Sequence, residues 1–275
     1  MLSIVVVHYR TPELLRLCLK NLKNVITKDG LETEVIVVDS GTTNTSKNLV
    51  LSEFPEFKHL PFKENLGFAK GVNQGINNSK GDFILITQPD VVITEKNIEP
   101  LINYLKENPG VGLIGPRLLN FDGTDQRSFF KFPKLVTLAY RRTFLKNLPF
   151  AKKELLRFEY SDKLTNNPGL EPFEVDWLLG AVLITTRKAI EKVGGMDEKI
   201  FMYFEDVDWA RRFWQNGYRV IYYPKVAMYH WLMRASSSFL GIFDPVFNKQ
   251  TRIHIKSAIY YFLKWKKLEY LNRKI

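Results

Sequence analysis

Residues 201–209, which read FMYFEDVDW, place three carboxylates among four aromatic rings. The carboxylates of Glu205, Asp206 and Asp208 repel one another, and apolar neighbours make the ionisation of each one more costly. A carboxyl group whose pKa is raised in this way is suited to proton transfer near neutral pH. The alternative is structural, because acidic residues in the first turn of a helix stabilise the positive end of the helix dipole.

Polar side chains also follow three predicted strands. The runs SIVVVHY, EVIVVDS and GDFILIT are short and apolar, which is typical of buried strands. They alternate with helical patterns, so the sequence predicts an α/β fold with a single, mostly parallel sheet. Ligands of such sheets bind beyond the carboxyl ends of the strands. The candidate residues at those ends are His8, Tyr9, Arg10, Asp39, Gln88 and Asp90.

Two of these residues, Asp39 and Asp90, carry carboxylates with more than one possible use. Asp39 can accept hydrogen bonds from a nucleobase or a ribose, or it can form a turn by bonding to nearby backbone. Asp90 can hold Mg²⁺ or Mn²⁺, which prefer oxygen ligands and often share them with substrate phosphates. An ordinary Pro-Asp turn is the alternative for Asp90.

The stretch ENLGFAKGVNQGI, residues 64–76, places glycines and amides around a predicted helix start. Backbone N–H groups near Asn65 and Gly67 can receive a phosphate, and Lys70 can help to neutralise it. The spacing matches neither a GxGxxG motif nor a P-loop. Glycines in a helix also allow close approach by a neighbouring strand, which is the structural alternative.

The net charge of +11, from 40 basic and 29 acidic residues, indicates an affinity for polyanions. Nucleic acid binding is one hypothesis that this charge allows, although the carboxylate cluster argues against it. The single cysteine, Cys18, excludes an intramolecular disulfide framework. No run approaches the roughly 18 uninterrupted apolar residues of a membrane span. We therefore expect an intracellular, cytoplasmic protein, either soluble or peripheral to a membrane.

Several blocks of sequence occur in an order that resembles a known family. They include VIVVDS, NLGFAKGVNQGI, ILITQPDV, LLGAVLITTRKAIEKVGGMDE and FMYFEDVDWARRFWQNGYRV. Over roughly residues 1–235 the chain resembles family 2 glycosyltransferases, and more narrowly their bacterial rhamnosyltransferase-like branch. The resemblance implies a GT-A fold, inverting transfer from a nucleotide-diphosphate sugar, and Mg²⁺ or Mn²⁺ as cofactor. Residues 1–235 would form the GT-A domain and residues 236–275 a C-terminal amphipathic helical tail.

The resemblance also implies roles for individual residues. Asp206 matches the usual base of the family, and Glu205 would orient the site or bind the acceptor. Asp90 matches the last acid of the metal motif, Gln88 replaces the first one, and His230 would be the second metal ligand. The donor would contact His8, Tyr9, Arg10, Asp39, Asn65, Gly67, Lys70 and Gln88, and the acceptor would contact Asp176 and Trp177.

Some of these roles keep a structural alternative. A lone histidine such as His230 is more often a hydrogen-bonded residue of the core or surface, and Trp177 can equally well pack in the core. Asp208 can pair with Arg211 or Arg212 along its helix, which would give it a structural role.

The leading interpretation is transfer of a deoxyhexose such as L-rhamnose to a hydroxyl of a saccharide, or of a lipid-linked saccharide, in cell-surface polysaccharide synthesis. Such a displacement requires a base on the face opposite the leaving diphosphate. The basic, aromatic segments 127–160 and 251–275 would hold the protein at the anionic cytoplasmic leaflet, or would pack on the domain with a solvated face. The alternative functions are a nucleotidyltransferase and a non-catalytic sugar-nucleotide-binding protein, of which the Gln88 departure supports only the second.

Overall fold

The amino-terminal half alternates strands and helices, as its sequence pattern predicts. The structure is a computed structural model, and it describes residues 1–161, 171–231 and 248–272. The first elements are β1 (Leu2–His8), α1 (Pro12–Asp29), β2 (Thr33–Ser40), α2 (Asn44–Glu53), β3 (Lys58–Phe62), α3 (Phe68–Asn77) and β4 (Phe83–Thr87).

Shorter strands and amphipathic helices follow in the second half. The elements are β5 (Val91–Val92), α4 (Glu99–Glu107), β6 (Val111–Leu119), β7 (Asp125–Gln126), β8 (Phe129–Phe130), α5 (Leu135–Arg142), a 3₁₀ turn (Phe144–Asn147), α6 (Pro149–Phe158), β9 (Phe173–Glu174), β10 (Trp177–Leu178), β11 (Val182–Thr186), α7 (Arg187–Val193), α8 (Glu205–Gln215), β12 (Arg219–His230) and α9 (Lys249–Asn272).

Within the described residues, ten strands form one sheet in the order β3-β2-β1-β4-β11-β6-β12-β5, with β7 beside β6 and β9 beside β12. Strands β1–β4, β6 and β12 run in one direction, and β5, β7, β9 and β11 run in the other. The prediction of a mostly parallel sheet is therefore confirmed. Strands β8 and β10 form a separate ribbon.

The carboxyl ends of the parallel strands meet at one edge of the sheet. His8 at the end of β1 pairs with Asp39 of β2, and Val6 pairs with Thr87 of β4. Strand β11 runs antiparallel to β4, so the residues that precede β11 lie at the same edge. This edge therefore gathers side chains from distant parts of the chain, as ligand sites of α/β sheets do.

Alternate residues of β1 pack into opposite layers of the core, as the twofold periodicity of a strand requires. Val5 and Val7 face the layer that contains α3 and α8, whereas Ile4 and Val6 face α1, α2 and α4. The glycines of α3 allow this close packing, because a Cβ on Gly75 would lie 2.1 Å from Val5 Cγ1. For this glycine, the structural alternative of a close strand is the one observed.

Helix α9 packs along α8, and one of the contacts between them is a buried carboxylate. Asp208 accepts hydrogen bonds from Trp265 Nε1 and Lys264 Nζ, each at 2.9 Å, and from Arg212 Nε at 3.0 Å. Of the two arginines considered for Asp208, Arg212 is therefore the partner that binds it. Helix α9 thus packs on the domain with one face.

The expected domain boundary between residues 235 and 236 lies outside the described residues. Within the described ranges, no helix combines the length and the hydropathy that crossing a bilayer requires.

Candidate active site

Asp206 lies in the first turn of α8, where two backbone amides hold its carboxylate. The Gly180 N–H donates to Oδ2 at 3.0 Å, and the Val207 N–H donates to Oδ1 at 2.8 Å. Burial raises the pKa of Asp206 to about 6, although the amide hydrogen bonds oppose this shift. Asp206 is therefore mostly ionised at neutral pH, yet it takes up a proton more readily than an exposed carboxylate.

Glu205 lies beside Asp206 and differs from it in having an orphaned oxygen. Its Oε2 is buried and has no hydrogen-bond partner among the described residues. Burial, and then the charge of Asp206, raise the pKa of Glu205 well above its usual value. Two adjacent buried carboxyl groups resist double ionisation, and of the two Glu205 holds its proton more tightly. Both residues also begin α8, so the helix-start interpretation holds beside the chemical one.

A tight turn before α8 positions Glu205 and Asp206. Tyr203 and Phe204 have φ values of 66° and 69°, a left-handed conformation that costs a non-glycine residue about 1–3 kcal/mol. The turn is held from α3, since the Phe68 N–H donates to the Phe201 carbonyl at 2.8 Å. A Cβ on Gly67 would lie only 2.3 Å from that carbonyl oxygen. Gly67 therefore supports the turn that presents Glu205 and Asp206.

A cavity of about 390 Å³ opens in front of the two carboxyl groups. Its polar lining includes Gln88, Asp90, Glu205, Asp206, His230, Gln250 and His254, and its apolar lining includes Phe68, Phe130, Phe158, Trp177 and Phe204. A volume of this size lies within the range of small-molecule sites, about 300–1,000 Å³, and aromatic walls around a few polar groups are typical of them.

Asp90 and His230 meet in this cavity because β5 pairs antiparallel with the end of β12. The register places His230 opposite Val91, next to Asp90. His230 Nε2 lies 3.6 Å from Asp90 Oδ2, which is longer than a hydrogen bond. Asp90 Oδ1 is buried without a hydrogen-bond partner in the described structure.

A chain of hydrogen bonds in the β6–β7 hairpin sets the orientation of His230. Thr124 Oγ1 donates to the carboxylate of Asp122 at 2.6 Å, and Asn120 Nδ2 donates to Thr124 Oγ1 at 2.9 Å. Gln126 Nε2 donates to Asn120 Oδ1 at 3.0 Å, and Gln126 Oε1 lies 2.6 Å from His230 Nδ1. Because a carboxylate only accepts, every donor in the chain is fixed, and the proton of His230 lies on Nδ1.

The donor set at this point fits a divalent cation. Asp90 supplies an orphaned oxygen, and His230 directs Nε2 toward Asp90 while its other nitrogen binds an amide, the arrangement that usually supports a metal-bound histidine. No group of three or more His, Cys, Asp or Glu side chains suited to a metal occurs in the described part of the chain. The protein would therefore supply two ligands and leave the other positions to substrate oxygens and water.

The predicted donor residue Asp39 is fully buried and has partners of its own. His8 Nδ1 donates to Oδ1 at 2.8 Å, while Ser46 Oγ and His59 Nε2 lie 2.8 and 3.2 Å from Oδ2. His8 is fully engaged too, since the Thr11 N–H donates to its Nε2 at 2.8 Å. A donor-binding role for His8 and Asp39 stays a prediction, and a ligand would have to displace one of these hydrogen bonds.

The remaining predicted donor residues lie near the edge of the sheet but outside the cavity. Tyr9, Arg10, Asn65 and Lys70 have exposed side chains, and within the described residues none of them lines the cavity. Gln88 does line it and donates from Nε2 to the Gly180 carbonyl at 3.3 Å. Of these five described residues, Gln88 is therefore the one that lies in the cavity with Asp90.

The two predicted acceptor residues are separated by the structure. Trp177 lines the cavity, stacks on Phe130 with ring centroids 4.8 Å apart, and donates from Nε1 to a backbone carbonyl at 3.0 Å. Asp176 does not line the cavity. Its carboxylate accepts hydrogen bonds from Tyr160 Oη at 2.7 Å and from the Phe132 N–H at 2.6 Å. Asp176 therefore braces the segment that carries α5 and α6.

Several residues that complete the site were not among the predicted site residues. Gly180 binds Asp206 through a backbone amide, Gln126 binds His230, and His254 reaches the cavity from α9. Gly180 lies in one of the sequence blocks quoted above, but its role depends on a residue 26 positions away. Gln126 lies 104 positions from His230 and belongs to none of those blocks.

Comparison with known proteins agrees with this fold. The family model described as Glycosyl transferase family 2 matches residues 3–166. The N-acetylglucosaminyl-diphospho-decaprenol L-rhamnosyltransferase of Mycobacterium tuberculosis is 29% identical over 209 residues, which cover 71% of this chain and 66% of that protein. The dTDP-rhamnosyl transferase RfbF of Shigella flexneri is 26% identical over 240 residues, or 86% of this chain and 73% of RfbF. The chain therefore spans about two thirds to three quarters of these relatives.

Solved structures share the fold at low sequence identity. The mannosyltransferase PcManGT from Pyrobaculum calidifontis, in complex with GDP-Man and Mn²⁺, superposes with a TM-score of 0.55 at 18% identity. The match covers 85% of this chain and 57% of that structure. With 164 of its 275 residues inside the family model, the chain belongs to glycosyl transferase family 2, and it folds as a GT-A domain.

Proposed function

We propose that this chain is an inverting glycosyltransferase with Asp206 as its base. The sugar, a deoxyhexose such as L-rhamnose, moves from a nucleotide-diphosphate donor to a hydroxyl of a saccharide or a lipid-linked saccharide. The observation that carries the proposal is the buried Asp206, with a pKa of about 6, in one cavity with Asp90 and His230.

The environment of Asp206 suits a base that works near neutral pH. Two amide donors hold the carboxylate in place, so one rotamer faces the acceptor. The raised pKa makes the Asp206 carboxylate a stronger base toward the hydroxyl proton, yet leaves it mostly ionised at pH 7. Attack by the deprotonated hydroxyl on the anomeric carbon, from the side opposite the diphosphate, inverts the configuration there.

Glu205 and Trp177 would position the acceptor. A neutral Glu205 offers both a donor and an acceptor to a sugar hydroxyl, and its orphaned Oε2 leaves that capacity unused within the protein. The Trp177 ring in the cavity wall is an apolar surface on which a sugar ring can pack.

Asp90 and His230 would hold Mg²⁺ or Mn²⁺. A cation bound there supplies positive charge to the oxygens of the leaving diphosphate. The neighbouring amide of Gln88 has no negative charge, so it binds the donor without adding repulsion. The PcManGT complex contains Mn²⁺, which supports a divalent cation in this fold.

The names of the relatives support the choice of donor and acceptor. Both relatives are named as rhamnosyltransferases, and the mycobacterial name specifies a diphospho-decaprenol acceptor. We therefore place this chain in cell-surface polysaccharide synthesis, at the cytoplasmic face of the membrane.

Calorimetry with a panel of nucleotide-diphosphate sugars tests the proposal, with Mg²⁺, with Mn²⁺ and with chelator. We expect one donor to bind in the presence of metal and to lose most of its affinity in Asp90→Ala. Turnover with that donor should fall by about 10²–10⁴-fold in Asp206→Asn while donor binding persists. Transfer of the nucleotide instead of the sugar would point to a nucleotidyltransferase, and donor binding without turnover on any acceptor would point to a non-catalytic binder.

A further inference from the structure

The positive charge of the chain is concentrated in two segments. Residues 127–158 contain nine basic residues and one acidic residue, and residues 249–268 contain six basic residues and no acidic one. The rest of the chain therefore has 25 basic and 28 acidic residues, a small negative balance. The net charge of +11 is thus a property of these two segments, which we call the basic hairpin (127–158) and the basic helix face (249–268).

The single acid of the basic hairpin is used within it. Glu154 accepts hydrogen bonds from Thr137 Oγ1 at 2.5 Å and from Arg157 Nη2 at 2.7 Å. Among the ion pairs of the described residues, none involves Lys146, Lys152 or Lys153. These lysines are exposed, so their charge faces solvent uncompensated.

Large apolar side chains stand exposed among these lysines. Phe144 is 73% exposed, Leu135 66% and Leu156 57%. Aliphatic and aromatic side chains that project from a strongly basic surface are typical of segments that lie in the interface of a bilayer. In a surface that only binds polyanions, exposed aliphatic side chains such as Leu135 and Leu156 would have no use.

The exposed side of α9 repeats the same combination. Ile255, Ile259 and Leu263 are four residues apart and exposed, so they form one stripe along the helix. Lys256, Lys266 and Lys267 flank the stripe, are exposed, and take part in no ion pair of the described structure. The opposite side of α9 packs on the domain through Tyr261 and Trp265.

Both segments border the mouth of the cavity. Pro133, Leu138 and Arg141 of the basic hairpin line it, as do Gln250 and His254 of α9. Arg211 of α8 joins the two segments from below, with its guanidinium 5.4 Å from the Phe132 ring and 4.3 Å from the Trp265 ring. A surface that contacts both segments would therefore lie next to the entrance to Asp206.

We propose that the basic hairpin and the basic helix face together dock on an anionic phospholipid bilayer. The lysines meet the lipid phosphates, and Phe144, Leu156, Ile259 and Leu263 enter the headgroup region. The charge of the patch matches an anionic leaflet, and its apolar side chains distinguish a bilayer from a soluble polyanion such as nucleic acid. A lipid-linked acceptor would then enter the cavity from the membrane side, a consequence that rests on the proposed function.

Sedimentation with vesicles tests the docking without any substrate. Vesicles of phosphatidylglycerol and phosphatidylcholine should bind the protein, whereas pure phosphatidylcholine vesicles should not, and added salt should weaken binding. We expect Lys152→Glu/Lys153→Glu to lower partitioning by about tenfold or more, since each basic residue contributes roughly a factor of five near an anionic surface. Phe144→Ser/Leu156→Ser and Ile259→Ser/Leu263→Ser should lower it as well.

Matched variants on the other side of the sheet serve as controls. Lys20→Glu/Lys47→Glu makes the same change of charge, and Leu17→Ser/Leu51→Ser removes equally exposed leucines from α1 and α2. Both controls should bind vesicles as the wild type does. Circular dichroism and donor calorimetry in the absence of lipid should be unchanged in all five variants.

Three results would overturn the docking proposal. One is equal loss of binding in the control variants, and another is vesicle binding that ignores the apolar substitutions while RNA or heparin competes fully. The third is a wild-type dimer in light scattering that Phe144→Ser/Leu156→Ser dissociates without affecting vesicle binding, because the patch would then join two copies of the chain. If instead docking occurs but no donor binds, the proposed function fails and the docking proposal stands.

Discussion

His230 Nε2 lies 3.6 Å from Asp90 Oδ2, and Asp90 Oδ1 has no hydrogen-bond partner among the described residues. The two-residue strand β5 creates this proximity by pairing with the end of β12. Two groups with lone pairs thus face a shared space that a cation can fill. Which nitrogen of His230 faces Asp90 depends on Gln126, whose oxygen lies 2.6 Å from Nδ1.

Gln126→Met should change the tautomer of His230. Without the Gln126 oxygen, nothing in the β6–β7 hairpin holds the proton on Nδ1. We expect ¹⁵N NMR of histidine-labelled, metal-free protein to show the Nδ1–H tautomer in the wild type and a mixture in Gln126→Met. Loss of such a supporting residue typically lowers metal affinity by about 10–100-fold, which titration with Mn²⁺ would measure.

Asn120→Ala is the matched control for Gln126→Met. It breaks the hydrogen-bond chain one step farther from His230 while Gln126 remains in place. Its effect on the tautomer and on Mn²⁺ affinity should therefore be smaller. An unchanged His230 spectrum in Gln126→Met would show that the chain does not set the tautomer.

The pH dependence of turnover should report Asp206. Its pKa is raised to about 6, so the base is protonated and inactive below that pH and ionised above it. We expect kcat/KM to fall tenfold per pH unit below about pH 6 and to level off above it. Asp206→Asn should lower kcat by about 10²–10⁴-fold and remove this limb from the residual activity.

Donor calorimetry across the same pH range is the control for the acidic limb. Because Asp206 is assigned to the acceptor hydroxyl, donor affinity should not follow the limb seen in kcat/KM. If the acidic limb of kcat/KM persists in the residual activity of Asp206→Asn, it arises from the titration of another group.

Glu205→Gln should make stability less dependent on pH. The pKa of Glu205 is raised in the folded state, so the folded protein binds a proton that the unfolded chain releases. The wild type therefore loses stability as pH rises from the unfolded pKa of about 4.3 through the folded value. Glu205→Gln has a neutral amide at this position, so its stability does not fall with pH for this reason. Thermal unfolding at a series of pH values from 5 to 9, in steps of about half a unit, would show a gap that widens in favour of the variant.

A gap between wild type and Glu205→Gln that is constant across this pH range would contradict the raised pKa. Asp82→Asn is a suitable control, since Asp82 is exposed and distant in the fold from the cavity. It should leave the pH profile of stability as in the wild type.

The sequence predicted the elements of this site better than it predicted their contacts. Short apolar runs and helical periodicity are local signals, so β1, β2, β4 and α8 were predictable. That residues at the carboxyl ends of the parallel strands lie at one edge of the sheet followed from the fold class. The burial of Asp39 was not predictable, because it is produced by His59 of β3 and Ser46 of α2, which only the folded sheet brings together.

Other features of the site have no local signal at all. Tyr203 and Phe204 adopt a left-handed conformation that sequence patterns associate with glycine or asparagine. The predicted role of Gly67 in donor binding came from its position at a helix start. The structure adds a steric reason for a glycine at this position, because a side chain would collide with the Phe201 carbonyl. Tertiary contacts of this kind depend on register between distant segments, which spacing along the chain does not reveal.

Gly67→Ala should disturb catalysis from a position outside the cavity lining. An added Cβ would lie 2.3 Å from the Phe201 carbonyl oxygen, and the φ of +74° is strained for alanine. The turn at Tyr203 and Phe204 must then shift, and the carboxylate of Asp206 with it. We expect kcat to fall by about 10²-fold, as for a displacement of roughly 1 Å at an active site.

Gly30→Ala separates this steric effect from the effect of backbone conformation. Gly30 has a φ of +62°, and an added Cβ would meet nothing within 4 Å. It should lower the free energy of unfolding by about 1 kcal/mol and leave kcat unchanged. Equal kinetic effects of the two substitutions would show that the Phe201 contact does not position Asp206.

Asp39→Asn tests whether the buried carboxylate holds the fold together. Burial alone would raise the pKa of Asp39, but hydrogen bonds from His59, His8 and Ser46 hold it well below its usual value. Hydrogen bonds to a charged group typically contribute about 1.5–3 kcal/mol to the free energy of unfolding. We expect a loss of this order at pH 7 in urea unfolding.

The pH dependence of that loss identifies the charge of Asp39 as its cause. A depressed pKa contributes stability above the unfolded value of about 3.9, and this contribution disappears as pH falls through the folded value. The gap between wild type and Asp39→Asn should therefore shrink as the pH of the urea titrations is lowered below about 4. A gap that stays constant would mean that the carboxylate acts through shape alone. Calorimetry at pH 7 on the same variant then asks whether donor binding also needs Asp39, because an internal role leaves donor affinity intact and a nucleoside contact does not.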